Sequence, residues 1–506
     1  MNELNGTIYW GRFLLPFDDD VSALEQGAVH VPTGADLIDD LGPLDELRAK
    51  HPGAREIGAA DRVVMPGLID AHQHGRALSP ADQGCWDETL ELWLAQQRAV
   101  ERPDPVLSAQ VAAIRSLLDG VTTIMHPHVS PNPAQAIGES IEIVRVYRSV
   151  GIRAIFGLDL RDRASYAYDD DVEFLARIPA AAQRELGEHM APAAPASLSD
   201  LELAVATLRH EIEGAPITIG LAPRGPQWCT PALLEWAAEQ SRGGLPLQVH
   251  ASETRAQYGW FAQHGDSPIR HLQRHGLLSP RTTLAHCVWL DAADTEAIAE
   301  SGAVVAHNPA SNLRLQSGQA PIAHLRALGI PIAIGTDSTG LGSRPELFGE
   351  IRLARWLEQL ALTPTAISPA SALRDALRGG AAAAGDRDRL GVLRIGAAAD
   401  LVLLDYEGLT ARAAKNLDPA EVVAERAQRT SVTDVVVAGQ HLVAGGRYLV
   451  ADHAALEDAL VDEAGRLRGD PGRAAAVRTL RPLLSAELER LHEVGRGARF
   501  VGRPTA

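Results

Sequence analysis

Eight short apolar runs, each followed by a longer stretch with helical spacing, constrain this chain more than any other feature of its sequence. They fall at residues 63–70, 122–128, 153–160, 217–222, 247–250, 283–286, 303–307 and 332–337. Parallel neighbours cannot be joined by a tight hairpin and need a crossover, usually a helix. Alternation of short apolar runs with Ala-, Leu-, Glu- and Arg-rich segments such as 296–301 and 323–328 therefore predicts an α/β fold, a (β/α)8 TIM barrel. A length of 506 residues holds such a barrel and leaves chain for a satellite unit.

The flanks have another texture. Residues 6–15 and 28–32 read as strands separated by turns, and strand character returns after Gly391 in GVLRIGAAADLVLLD and VTDVVVAGQHLVAGG. Two strand-rich segments on either side of a barrel are expected to pair with each other into a small β-sandwich domain. The expected division is residues 1–62 and 391–450 for the two parts of the sandwich, 63–390 for the barrel, and 451–506 for an Arg- and Leu-rich helical tail with a polar, frayed finish. Ala-rich patches at 191–196 and 381–384 read as filler, and no tandem repeat or low-complexity linker is evident.

Composition removes several function classes. With 65 acidic against 47 basic residues and a formal net charge of −18, the surface is not built to coat nucleic acid. Cys85, Cys229 and Cys287 are far apart and form no C-x-x-C pair, so neither a disulfide framework nor a zinc finger is signalled, and a reducing compartment fits. The first twenty residues lack an apolar signal core, and no run approaches the ~18 apolar residues of a membrane span. A cytoplasmic protein acting on a small molecule, with no membrane partner, is the expectation.

In a barrel of this kind chemistry sits at the C-terminal ends of the strands. The first run closes in PGLIDAHQHG, with His72 and His74 two residues apart, a spacing that puts both rings on one side of an extended chain. Two imidazoles on one face make half of a divalent-metal site. The fifth run closes in LQVHASE with His250 and Glu253, the sixth in TLAHC with His286, and the eighth in AIGTDS with Asp337. A single strand-end histidine is usually a hydrogen-bonded structural residue. Four strand ends that deliver His, His, His and Asp in barrel order are a different matter.

The ordered strings PGLIDAHQH, HASE, LAHC, HNPASN and GTDS, with GAAADLVLLD late in the chain, resemble the amidohydrolase superfamily. The resemblance is to its mononuclear branch, which holds cytosine, guanine and adenosylhomocysteine deaminases and the triazine hydrolases, and it spans roughly residues 5–443. It implies that His72, His74, His250 and Asp337 bind one metal ion, zinc or ferrous iron, which activates a water for attack on a ring carbon. It further implies that Glu253 shuttles the proton, that His286 orients or deprotonates the attacking group with Asp337, and that the protein is a homodimer or higher homo-oligomer. Binuclear relatives usually bridge two metals with a carbamylated lysine on the fourth strand. This chain has two lysines, Lys50 before the barrel and Lys415 after it, so that bridge is excluded.

The reaction expected is hydrolytic deamination of an aminated N-heterocycle. Alternatives are triazine-type hydrolysis releasing chloride or an alkylamine, cyclic amide opening, and a barrel that has lost catalysis. Candidate substrate contacts are Arg76, Trp86, His126, His128, Arg224, Gln227, Trp228, His307 and Asn308. Arg76 and Arg224, with Arg161 and Arg163, suit an anionic or carbonyl-rich substrate through the guanidinium fork; ion pairing with acids such as Asp159 is the plainer reading. Trp93 is expected in a helix core, and Asn312 as a cap on local backbone. After Asp337 the segment STGLGSRPELFGE departs from the more acidic or Asn-rich loop of nucleobase deaminases.

Overall fold

The computed structural model describes residues 5–19, 23–130, 132, 134–163, 166–192, 194–338, 346–360, 367–411, 417–495 and 498–502. Each of the eight runs contributes a strand to one sheet whose spatial order follows the sequence. The strands are Leu68–Asp70, Val121–Pro127, Arg153–Leu160, Ile217–Pro223, Leu247–Ala251, Thr282–His286, Val304–His307 and Ile332–Ile334. The sheet closes on itself. Ala71 N donates to Ile334 O at 3.0 Å, and Asp337 N donates to His72 O at 2.8 Å. Helices cover the outside, so the strands are buried on both faces; every residue of Val121–Pro127 is buried.

The run 63–70 is divided between two sheets. Its first half ends the long strand Arg55–Pro66 of the satellite sheet, and Leu68–Asp70 alone enters the barrel. Gly67 makes the switch: a Cβ there would lie 2.1 Å from Thr122 Oγ1, and its amide donates to Asp400 O at 2.9 Å. Helix starts follow local capping chemistry. In Pro105–Leu118 the Asp104 side chain accepts from the amides of Val106 and Leu107, and Ala109, Ala113 and Leu117 form the buried stripe.

The flanking segments pair as expected into one separate sheet. Thr7–Leu14 lies between Gly27–Val31 and Arg55–Pro66, and Arg55–Pro66 leads through Leu401–Asp405 and Val432–Val437 to Gln440–Ala444. Tyr9 and His441 sit on strands four places apart, about 19 Å in a flat sheet, yet their rings are 6.4 Å apart. The sheet has curled into two facing layers around Val29, Val64, Leu401, Leu403 and Val436. Arg153 fastens it to the barrel with two hydrogen bonds to Asp400, at 2.7 and 2.9 Å.

The tail forms His453–Arg466 and Pro471–Val494. Leu480, Leu484, Leu488 and Leu491 of the second helix recur every three or four residues and pack in one cluster with Trp260 and Phe261. The expected fraying does not hold for the described finish: Phe500 packs edge-on between Tyr258 and Trp289 at 4.8 and 4.9 Å, and Val501 N donates to Leu290 O. Among the described residues no helix is long and apolar enough to cross a membrane.

Candidate active site

The ends of strands one, five, six and eight bring His72, His74, His250, Glu253, His286 and Asp337 together at the C-terminal mouth of the barrel. Backbone strain collects at the same place. Of eight non-glycine residues with positive φ among the described residues, Ser252, His286, Cys287 and Asp337 lie at these strand ends. Such conformations persist where the surroundings over-determine them, and they turn side chains inward here. Gly335 is needed for the fit, since a Cβ there would lie 2.5 Å from Asn308 Oδ1 and 2.7 Å from His72 Cβ.

His74 Nε2 lies 3.3 Å from Asp337 Oδ1 and 3.3 Å from His250 Nε2; His72 Nε2 lies 3.9 Å from Asp337 Oδ1. Bonds of about 2.0–2.1 Å in a tetrahedral site put neighbouring donors ~3.3 Å apart. His74 Nδ1 donates to Pro127 O at 2.8 Å, which leaves its Nε2 as a bare lone pair. That lone pair faces another imidazole nitrogen, and His72 Nε2 is buried with no partner among the described residues. Burial and the neighbouring histidines push His72 and His250 well below the ordinary imidazole range, so both are neutral, the form a metal requires. Burial works to raise Asp337, but the close imidazoles of His74, His72 and His286 hold it well below the ordinary carboxylate range. Three imidazoles and a carboxylate fit a divalent cation.

Residues behind these groups fix their orientation. His286 Nδ1 donates to Asn312 Oδ1 at 2.8 Å, which turns Nε2 toward Asp337 Oδ2 at 3.8 Å and Glu253 Oε2 at 3.7 Å. Asn312 thus serves His286 and is not the expected local cap. Ser311 Oγ donates to Asp337 Oδ2 at 2.7 Å. Asp70, which sequence reasoning passed over, accepts from Thr336 N, Thr336 Oγ1 and His72 N, locking strand eight to strand one. Glu253 is 6% exposed, and burial pushes its carboxyl up to about 7.

These groups form the floor of a cavity of ≈ 1070 Å³. Arg76, His126, His128, Arg224 and Trp228 line it. His126 Nδ1 meets Tyr147 OH at 2.7 Å, and His128 Nε2 meets Glu139 at 3.2 Å. Arg224 is ion-paired with Asp159, so the plainer reading holds for it. Trp228 stacks on Tyr168 with centroids 6.0 Å apart and donates to Ala167 O.

The other candidates sit off the wall. Trp86 is 71% exposed. Gln227 is buried and accepts from Gln257, whose own Oε1 takes the Glu253 amide; it supports Glu253 and does not reach toward a ring. His307 and Asn308 are buried behind strand eight, with His307 O accepting from Gly335 N. Trp93 is buried beside Leu90 and Leu315, as expected. Lys415 and residues 339–345 lie outside the described residues. Arg473, Leu480 and Leu484 of the tail helix also line the cavity, a contribution no strand-end motif announces.

Comparison with known proteins accords with this geometry. The chain is 31% identical over 402 residues to a 5-methylthioadenosine/S-adenosylhomocysteine deaminase of Syntrophobacter fumaroxidans, covering 78% of this chain and 83% of that one. It is 30% identical over 462 residues to an 8-oxoguanine deaminase of Pseudomonas aeruginosa, covering 86% and 97%. Among solved structures, a zinc-bound adenosine deaminase from Xanthomonas campestris superposes with a TM-score of 0.76 at 28% identity, over 92% of this chain and 99% of that one. The atrazine chlorohydrolase of Arthrobacter aurescens, at 24% identity and a TM-score of 0.75 over 90% and 100%, shares the fold. The amidohydrolase family model matches residues 63–442, and the chain belongs to the amidohydrolase family.

Proposed function

We propose that this protein is a metal-dependent hydrolytic deaminase that removes an exocyclic amino group from an N-heterocycle of purine type. The observation that carries the reading is the convergence of His72, His74, His250 and Asp337 on one point beside the Glu253 and His286 pair. The deaminase relatives, with their adenosine-like and purine substrates, support the ring class. Zinc is the proposed ion, on the strength of the zinc-bound relative; ferrous iron is the alternative.

A divalent ion bound there supplies Lewis acidity and draws the pKa of a water toward about 7 in favourable sites. The protein's own groups do the remaining work. His286, with Nδ1 committed to Asn312, presents Nε2 as the acceptor for the proton released when water attacks the ring carbon. Glu253, raised to about 7 by burial, holds a proton near neutral pH and delivers it to the adjacent ring nitrogen. His286 then returns its proton to the amino group, which leaves as ammonia rather than amide, and the hydroxyl proton passes to Glu253 as the carbonyl forms, restoring both groups. Gln257 fixes Glu253 through the backbone amide, and Trp228 offers a flat wall for the ring.

The test is ammonia release from a panel of amino-, chloro- and oxo-substituted purines, pyrimidines and triazines by metal-loaded protein. Turnover of at least one aminopurine, lost on chelation and restored by zinc, is expected. Metal-loaded protein that frees chloride but no ammonia overturns the deaminase reading. The cytoplasmic location and a homodimeric or higher assembly belong to the same proposal, and light scattering reads the assembly.

A further inference from the structure

Two arginines of the cavity wall make no hydrogen bond to a carboxylate among the described residues. Arg76 Nη1 donates to Gln97 Oε1 at 3.0 Å, and Arg102 Nη2 donates to the same oxygen at 2.7 Å. Gln97, at the end of helix Leu90–Gln97, is 6% exposed, and its Nε2 is buried without a partner among the described residues. All three residues line the catalytic cavity. One neutral oxygen thus stands between two cations, with a further N–H donor beside it.

Nearby acids are committed elsewhere. Glu91 accepts from Tyr168 OH and Thr254 Oγ1, Glu139 meets His128, and Asp162 takes the amide and hydroxyl of Thr230. Glu101 accepts from the Arg468 amide. Arg224, on the same wall, has Asp159; among the described residues Arg76 and Arg102 hydrogen-bond only the Gln97 amide. Two half-buried cations held against one neutral oxygen are costly. An anion entering between the two forks removes that cost and satisfies Gln97 Nε2 as well.

We propose that Arg76, Arg102 and Gln97 form a carboxylate-binding subsite in the cavity wall, and that the preferred substrate is an amino N-heterocycle carrying an acidic substituent. This deepens the deaminase reading and rests on it for the identity of the ring. The cavity, at ≈ 1070 Å³, stands at the top of the roughly 300–1,000 Å³ usual for small-molecule sites, so a substituent beyond the ring is accommodated. A planar two-oxygen anion matches the guanidinium forks. A dianionic phosphate is less suited, because Gln97 ends its helix and the helix C-terminus carries partial negative charge.

Calorimetry on zinc-loaded protein decides the matter. Adenine-9-acetate, guanine-9-acetate and cytosine-1-acetate are compared with their uncharged acetamides, and with the matching phosphonates. At least one acetate is expected to bind about tenfold or more tighter than its amide, with that preference lost in Arg102→Gln. Gln97→Glu places a carboxylate between the arginines, so it is expected to raise the melting temperature while abolishing the acetate preference. Equal binding of acetates and amides, absence of any acetate binding, tighter binding of the phosphonates, or a preference that survives both substitutions overturns the subsite. Ammonia release is read separately. A charge preference without turnover of any amine sinks the deaminase reading and leaves the subsite standing; turnover without charge preference does the reverse.

Discussion

Half-buried arginines stand at both ends of the barrel, and the two ends treat them in opposite ways. At the base, Arg153 gives a two-pronged bond to Asp400, whose Oδ1 also takes the Ala438 amide. Burial works to lower Arg153, but Asp400 more than offsets it and holds the guanidinium above its ordinary value. At the mouth, Arg76 and Arg102 share one amide oxygen, and burial drives both down. His72 Nε2, His126 Nε2 and His286 Nε2 are likewise buried at the mouth with no hydrogen-bond partner among the described residues. A network complete within the chain fastens two sheets; one left incomplete is shaped for something the chain does not contain.

Three substitutions test that contrast. The largest effect is expected at the mouth, where Glu253→Gln removes a proton carrier. Turnover should fall by about 10²–10⁴ with metal content and melting temperature unchanged, and an active variant removes Glu253 from the chemistry. Next comes the base. Asp400→Asn leaves Arg153 buried without its counter-ion and should cost about 3–5 kcal/mol in urea unfolding, with ammonia release per folded molecule unaltered. Arg102→Gln, by contrast, should leave unfolding stability unchanged or improved. Equal losses from the two would erase the distinction between the ends.

The smallest effect is one of pH. Burial holds His307 down at about 3, while an unfolded chain titrates near 6.5. Between those values the unfolded state binds a proton that the folded state refuses. Stability from this residue is therefore full above about pH 6.5 and declines by ~1.4 kcal/mol per unit as pH falls. Urea midpoints at pH 7.5, 6 and 5 should drop for the native protein and drop less for His307→Gln; parallel curves would contradict the sign.

The barrel and the residues gathered at its mouth were legible because both are written locally. An apolar run fixes a strand, and the residue closing it lies at the mouth whatever surrounds it, so His250, His286 and Asp337 were placed from their own strings. His72 and His74 followed from their spacing. What stayed hidden depends on partners far away in the chain. Gln227 supports Glu253 only because Gln257 lies between them, and Asn312 serves His286 only because strands six and seven are adjacent. Nothing local in the sequence marks Arg102 as part of the cavity wall, and the Leu spacing of the tail gives no sign of what Leu480 and Leu484 cover. Trp86 illustrates the converse: nearness in sequence to a metal motif did not bring it to the cavity.

The most direct measurement pairs metal analysis with ammonia release on the same preparations of native protein and Asp337→Ala. Native protein should hold about one equivalent of zinc and free ammonia from an aminopurine. Asp337→Ala, with an unchanged far-ultraviolet circular dichroism spectrum, should lose both together. Native turnover in that variant, or in protein stripped of metal, would contradict a metal centre built from His72, His74, His250 and Asp337.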